Sequence, residues 1–326
     1  MIGLDHVWML PVALVLDAVV GDPDFIWRRA PHPVALFGRQ IDWFDRHLNS
    51  SRRKPWLRRI AGGATLFLVV AVAAAIGFGI EYGLSYIAFG WVGTVLVAAI
   101  LLAGRSLYDH VAAVAKACDA GSLDEARKSV ARIVGRDAAA LDEAGVCRAT
   151  IESMAENFAD GVVAPAVWFL LLGLPGLAAY KAINTADSMI GHRTPRHEDF
   201  GWAAARLDDL VNLPASRLAG GLMALASPVV GGSIGHAFKV MRSEAPKHRS
   251  PNAGWPEAAT AAALGLALAG PRRYRGVLGH DPYINASGRR QATPADIRRG
   301  LRLYLGSWAT LAVVVAAAGG LVVELG

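Results

Sequence analysis

Ile60-Ala-Gly-Gly-Ala-Thr-Leu-Phe-Leu-Val-Val-Ala-Val-Ala-Ala-Ala-Ile-Gly-Phe-Gly-Ile80 is a run of 21 residues without a charge. After only Glu81-Tyr82, a second uncharged run extends from Gly83 to Gly104. At ~1.5 Å per residue either run, as a helix, reaches the ~30 Å of a bilayer's hydrocarbon core. A third, Leu303–Val323, closes the chain, and a shorter one, Val7–Val20, opens it with Pro11 and Asp17 inside. Val7–Val20 lacks a basic flank in front of it and reads as an uncleaved first helix rather than a signal peptide. The composition agrees: 54% of the 326 residues are hydrophobic and 18% are charged, against roughly 25% charged in soluble domains. Disorder and an ordinary water-soluble enzyme are both excluded, because an apolar excess of this size has to face lipid. Cys118 and Cys147 show no metal-ligand or disulfide-framework spacing. No period-2 strand pattern occurs, so the expected fold is all-α, a polytopic helical membrane protein.

The net charge of +6 is unevenly placed. Segment 21–59 holds nine Lys/Arg against four Asp, and 271–302 holds eight Arg against two Asp. Both abut uncharged runs, so the basicity reads as membrane orientation rather than nucleic-acid binding, with both flanks cytoplasmic and the tip at Glu81 outside. Four regions follow: N-terminal membrane helices over 1–104 with a cytoplasmic loop at 21–59; a soluble helical hairpin over 105–160; a motif-rich core over 161–270; and a basic loop with the last membrane helix over 271–326. In the hairpin, Leu107, Val111, Val114 and Cys118 share a helix face, Gly121 ends that helix, and Ser122 with Glu125 forms a capping box for a second helix running to Gly135. In the core, Gly161–Ala179 is split by Gly173-Leu174-Pro175-Gly176, and Leu218–Phe238 by Ser227-Pro228 and Gly231-Gly232. Each piece is too short to span, which predicts broken or re-entrant helices around a site.

Polar residues crowd into Ile151–Asn212. Glu152, Glu156 and Asp160 stand at i, i+4, i+8 and stack three carboxylates on one helix face. Such a stripe is either solvated or matched by a cation, and oxygen ligands favour Mg²⁺. Asn184, Asp187, Arg193, His197, Arg206, Asp208, Asp209 and Asn212 follow beside apolar helices, where ionisable groups default to functional candidates. His32 between Pro31 and Pro33, and the turn-rich Ser250-Pro-Asn252-Ala-Gly254-Trp255-Pro256-Glu257, have no packing rationale of their own. No phosphate-loop signature is present.

The blocks Leu16-Asp17, Gly21-Asp22-Pro23, His32-Pro33-Val34 and Gly38, followed by Glu152-Ser-Met-Ala-Glu156-Asn157-Phe-Ala-Asp160-Gly161-Val-Val-Ala-Pro165, resemble the CobD/CbiB family. Three further blocks in register extend that resemblance to about residue 280: Ala182-Ile-Asn184-Thr-Ala-Asp187-Ser188-Met, Asp199-Phe-Gly201-Trp202-Ala-Ala-Ala-Arg206-Leu-Asp208-Asp209, and Ser250–Glu257. Residues 289–326 match no family motif. The resemblance implies a carbon–nitrogen ligase of the inner (cytoplasmic) membrane with its site facing the cytoplasm. It joins the f propionate of adenosylcobyric acid to (R)-1-amino-2-propanol or its O-phosphate, with ATP and Mg²⁺, in cobalamin biosynthesis. Membrane lipid and other late-pathway membrane enzymes are the further partners it implies.

On that chemistry the candidate catalytic residues are His32, Glu156, Asp160, Asp187, Arg193 and His197. Lys181, Asn184, Arg206 and Asn252 are assigned to the nucleotide. The metal candidates are Glu152, Glu156 and Asp160, with Asp208 and Asp209 as a rival pair. The proton acceptor is one of His32, His192 and His197. Two other classes compete: an intramembrane Mg-dependent transferase, suggested by Asn184-x-x-Asp187, and a corrinoid transporter or membrane regulator built on broken helices. The first lacks a second Asp-rich motif at comparable spacing, and the second lacks internal symmetry.

Overall fold

The structure, a computed structural model, describes residues 5–134, 138–271, 273–274, 277–278 and 281–325. In chain order the helices are α1 (Asp5–Val20), α2 (Asp24–Trp27), α3 (Pro33–Leu48), α4 (Pro55–Ser85), α5 (Gly90–Leu101), α6 (Gly104–Asp119) and α7 (Leu123–Val130). They continue with α8 (Glu143–Phe158), α9 (Ala164–Ile190), α10 (Trp202–Val211), α11 (Leu213–Ala226), α12 (Ile234–Glu244), α13 (Gly254–Leu264) and α14 (Pro294–Leu325). Among the described residues, strands are confined to two antiparallel two-residue pairings, Leu268–Ala269 with Tyr283–Ile284 and Arg273–Tyr274 with Val277–Leu278. The all-α expectation therefore holds.

Among the described residues, five helical stretches are long and apolar enough to cross a membrane: Pro55–Ser85, Gly90–Asp119, Glu143–Ile190, Leu213–Val230 and Pro294–Leu321. α1 forms where expected, with 16 residues described. Along α4, Ile60, Phe67, Leu68, Val72, Ile76 and Phe78 point outward, as do Val313, Val314 and Leu321 of α14. Apolar side chains turned away from the core over this length are what lipid-facing helices present.

The chain forms two compact units, and neither is continuous in sequence. The first draws on the described parts of Met1–Ala103, Ala164–Asn212 and Val315–Gly326; the second draws on Gly104–Val163 and Leu213–Val314.

In the first unit, α4 packs along α9. Leu66, Val69 and Ala73 of α4 meet Ala178, Ala182, Ala186 and Ile190 of α9, with Phe37 and Ile41 of α3 closing the core. Alanines at every fourth position give α9 a smooth face and let the helices approach closely. α9 breaks where the sequence predicts: Gly173 adopts φ 65°, ψ −152°, a conformation open to glycine. The break is an internal kink between residues 164–172 and 174–190. The Leu174 N–H freed by it donates to Glu81 Oε2 at 3.1 Å, and the other Glu81 oxygen pairs with buried His6. The broken backbone is thus satisfied by a side chain from α4.

In the second unit, α6 and α7 form the expected hairpin. Ser122 Oγ accepts the Glu125 N–H at 3.4 Å, but the Glu125 carboxylate pairs with Lys128 at 2.7 Å, so only half of the capping box is made. Gly135 lies outside the described residues, as do 272, 275–276 and 279–280 of the basic loop. Tyr304 anchors α14: its hydroxyl donates to the Gly104 carbonyl at 2.7 Å and its ring meets Phe158 edge-on at 5.5 Å. α11 stops at Ala226, passes through a 3-10 turn over Ser227–Val230, and α12 restarts with Ser233 as its N-cap.

Candidate active site

Tyr180, Asn184 and Asp187 stand at i, i+4, i+7 on α9 and share a face. α10 packs against α9 and brings Asp208 and, one turn on, Asn212. The Tyr180 hydroxyl donates to Asn212 Oδ1 at 2.9 Å. Asn212 Nδ2 then donates to Asp208 Oδ2 at 3.0 Å, and Asn184 Nδ2 approaches Asp208 Oδ1 at 3.4 Å. Burial pushes the Asp208 carboxyl up to about 7, the Asp187 carboxylate pushes it the same way, and the two amides offset part of the rise. Asp209 is also raised by burial, with Arg206 and Arg193 opposing. His192 acts electrostatically on Asp187. The result is a half-buried acidic centre rimmed by Arg193 and Arg206, which are exposed. A carboxyl held near 7 by burial and a like-charged neighbour is the signature of a group prepared to bind a cation or move a proton.

Lys181 is buried on α9, one residue after Tyr180. Glu152, Glu156 and Asp160 belong to the second unit, and their stripe is not uniform: Glu152 is buried, Glu156 exposed and Asp160 half-buried. Glu152 Oε1 accepts the Ala269 N–H at 2.8 Å, and Asp160 lies in a π turn over Ala159–Val163, which shifts the helical phase after Phe158. His32 caps α3, its Nδ1 accepting the Val34 N–H at 3.2 Å; Nε2 faces the Ile100 carbonyl at 3.2 Å and Asp22 at 3.5 Å. His197 Nε2 faces Asp45 at 3.5 Å. Asn252 Oδ1 accepts from Ser216 Oγ at 3.0 Å and from Arg217 at 2.9 Å, and Arg217 stacks over Trp255. Among the described residues, no three His, Cys, Asp or Glu side chains converge into a self-contained metal site.

A family model described as CobD/Cbib protein matches residues 10–304. The chain belongs to the CobD/CbiB family. It is 48% identical over 313 residues to the cobalamin biosynthesis protein CobD of Sinorhizobium fredii (strain NBRC 101917 / NGR234), covering 94% of this chain and 95% of that one. It is 49% identical over 315 residues to the protein of that name from Brucella suis biovar 1, covering 94% of each. The Rhodobacter capsulatus protein is 46% identical over 311 residues, covering 94% of this chain and 95% of that one. No solved structure matches the chain. Family and relatives together give this CobD/CbiB chain a role in cobalamin biosynthesis, and its five apolar helices give it a membrane character.

Two features of this CobD/CbiB site escaped the sequence. Tyr180 has no signal, since an apolar-faced helix accepts a tyrosine anywhere, yet it sets the orientation of the Asn212 amide. Asp45, Asn49, Arg58 and Arg196, which stand outside the quoted motifs, form a network with Asp199. Arg196 donates to Asp45 Oδ2 at 2.6 Å, Asn49 to Asp45 Oδ1 at 2.7 Å, and Arg58 to Asn49 Oδ1 at 2.9 Å. Arg59 donates to Asp199 at 3.0 Å and Arg58 faces it at 3.7 Å. Burial would raise Asp45, but the Asn49 and Arg196 hydrogen bonds outweigh it and hold the carboxyl below its usual range. This network ties the segment before α10 to α3 and α4.

Glu152 yields a direct test. Glu152→Gln keeps an acceptor for the Ala269 N–H and is expected to leave turnover unchanged. Glu152→Ala strands that buried N–H and is expected to lower stability by about 1–3 kcal/mol. Thermal unfolding beside turnover checks both; a large turnover loss in Glu152→Gln with intact folding would return Glu152 to the metal candidates.

Proposed function

We propose that the chain joins the f propionate of adenosylcobyric acid to (R)-1-amino-2-propanol or its O-phosphate in an ATP-dependent amide synthesis. The observation that carries the site assignment is the half-buried Asp208, held near neutrality beside Asp187 and faced by the amides of Asn184 and Asn212. The donor set there is all oxygen, which fits Mg²⁺, an ion that typically uses one or two carboxylates and completes its shell with substrate phosphates and water. Asp187 and Asp208 are the residues that would hold it. When bound, it would neutralise charge on the nucleotide phosphates.

The chain's own groups then divide the work. Arg193 and Arg206, exposed beside Asp209, offer guanidinium forks to phosphate oxygens. The corrin carboxylate attacks the γ-phosphorus and ADP departs, leaving an acyl phosphate on the corrin. The amine nitrogen attacks that acyl carbon, phosphate leaves, and one proton is lost from nitrogen. His192, exposed and electrostatically linked to Asp187, takes that proton in this reading. His32 is less suited because both of its nitrogens have partners. The reading puts the site on the cytoplasmic side of the inner membrane, since 21–59 and 271–302 carry the basic excess.

The test is the purified chain in lipid nanodiscs with adenosylcobyric acid, each amine in turn, ATP and Mg²⁺. One ADP, one phosphate and one amide per turnover is the expected result, with no ADP when the corrinoid is left out. Nucleotide consumption indifferent to the corrinoid, or an amide formed without nucleotide, rejects the proposal.

A further inference from the structure

α14 passes straight from an arginine-rich turn into its uncharged stretch. Arg298, Arg302 and Leu305 stand at i, i+4, i+7 and share a face. With Arg299, Leu301 and Tyr108 of α6 they line a cleft of about 510 Å³. Its walls are held at two points: the Tyr304 hydroxyl on the Gly104 carbonyl, and Arg298 paired with Asp119.

The charges in the cleft are not equally committed. Arg299 donates to the carbonyls of Leu264 and Val230 at 3.0 and 3.2 Å and faces Asp296 at 3.3 Å. Arg298 has Asp119. Arg302 is exposed, and among the described residues no carboxylate pairs with it. Leu305, exposed at 46%, starts an apolar surface that continues outward along α14 through Val313 and Val314. Orientation of the helix by arginine alone explains the charge but not its convergence with a tyrosine and a leucine on one cleft. A ligand matched to this arrangement is anionic at one end and apolar at the other. Arginine forks bind phosphodiester oxygens, and basic pockets at the cytoplasmic ends of membrane helices suit anionic headgroups.

We propose that this cleft binds the headgroup of one anionic phospholipid from the leaflet that α14 enters, with its acyl chain along Leu305. The test is the full chain in a mild nonionic detergent, titrated with phosphatidylglycerol or phosphatidylcholine and read by native mass spectrometry. The wild type is expected to retain phosphatidylglycerol in preference to phosphatidylcholine, and Arg302→Gln to reduce that preference about fivefold. Arg298→Gln combined with Arg302→Gln removes it; should the double variant fail to fold, Arg302→Gln alone decides. Equal retention of the two lipids, or unchanged preference in Arg302→Gln, overturns the proposal. Displacement of the lipid by inorganic phosphate beyond the effect of chloride at equal ionic strength reassigns the cleft to a soluble phosphate compound and overturns it equally.

Discussion

Asp208→Asn is expected to lower ADP release dependent on adenosylcobyric acid by about a hundredfold or more, while the protein stays folded. The substitution removes one negative charge from the acidic centre and changes little else. An asparagine oxygen at 208 still accepts from Asn212, the shorter contact at 3.0 Å, while the Asn184 amide at 3.4 Å turns to present its own oxygen. Stability separates this from simple damage. Asp208 is raised from 3.8 to about 7, so it binds its proton more tightly in the folded chain than in the unfolded one. Its stabilising contribution is therefore fully present below 3.8 and is lost as pH rises through about 7. Asp208→Asn has no such loss, so its melting temperature should gain on the wild type between pH 5 and pH 8.5. Mg²⁺ with nucleotide should raise the wild-type melting temperature at the upper pH and leave the variant's unmoved. Near-normal turnover in a folded Asp208→Asn would remove the acidic centre from the mechanism.

Gly62→Ala is expected to destabilise the chain by about 3 kcal/mol, with Gly63→Ala close to neutral. A Cβ at Gly62 would stand 1.8 Å from the Phe200 carbonyl oxygen and 2.7 Å from its carbon. Both are backbone atoms, so α4 would have to withdraw from the segment that leads into α10. At Gly63 the nearest atom is the Ala203 Cβ at 3.9 Å, an ordinary contact. The pair shares composition, helix and membrane depth, so the difference in melting temperature reports the close approach alone. Because Phe200 precedes the α10 turn carrying Asp208, Gly62→Ala should also depress turnover. Equal melting temperatures for the two variants would contradict the packing of α4 on this segment.

The same contrast explains what could be read from the chain without its fold. Ile60–Ile80 is a membrane helix for a reason contained in its own 21 residues, namely length and the absence of charge. The kink at Gly173 follows from Gly-Leu-Pro-Gly, and the start of α7 from Ser122, because caps and breaks depend on atoms within one turn. Carboxylate partners are a different matter. Glu152, Glu156 and Asp160 are evenly spaced, yet Glu152 is buried on the Ala269 N–H, Glu156 is exposed, and Asp160 is half-buried in a π turn. Asn184 and Asp208 stand 24 positions apart and meet because α10 packs on α9.

The amino-acid sequence by itself determined the membrane class, the all-α fold and the family motifs, all of which rest on local spacing or on composition. Only the tertiary structure decided which acids share a half-buried centre, that Tyr180 and Asn212 orient it, that His32 is a helix cap, and that Gly62 is a contact rather than a spacer. Periodicity says which side chains share a helix face; burial and long-range packing choose what that face meets, and with it the charge a carboxyl carries at neutral pH.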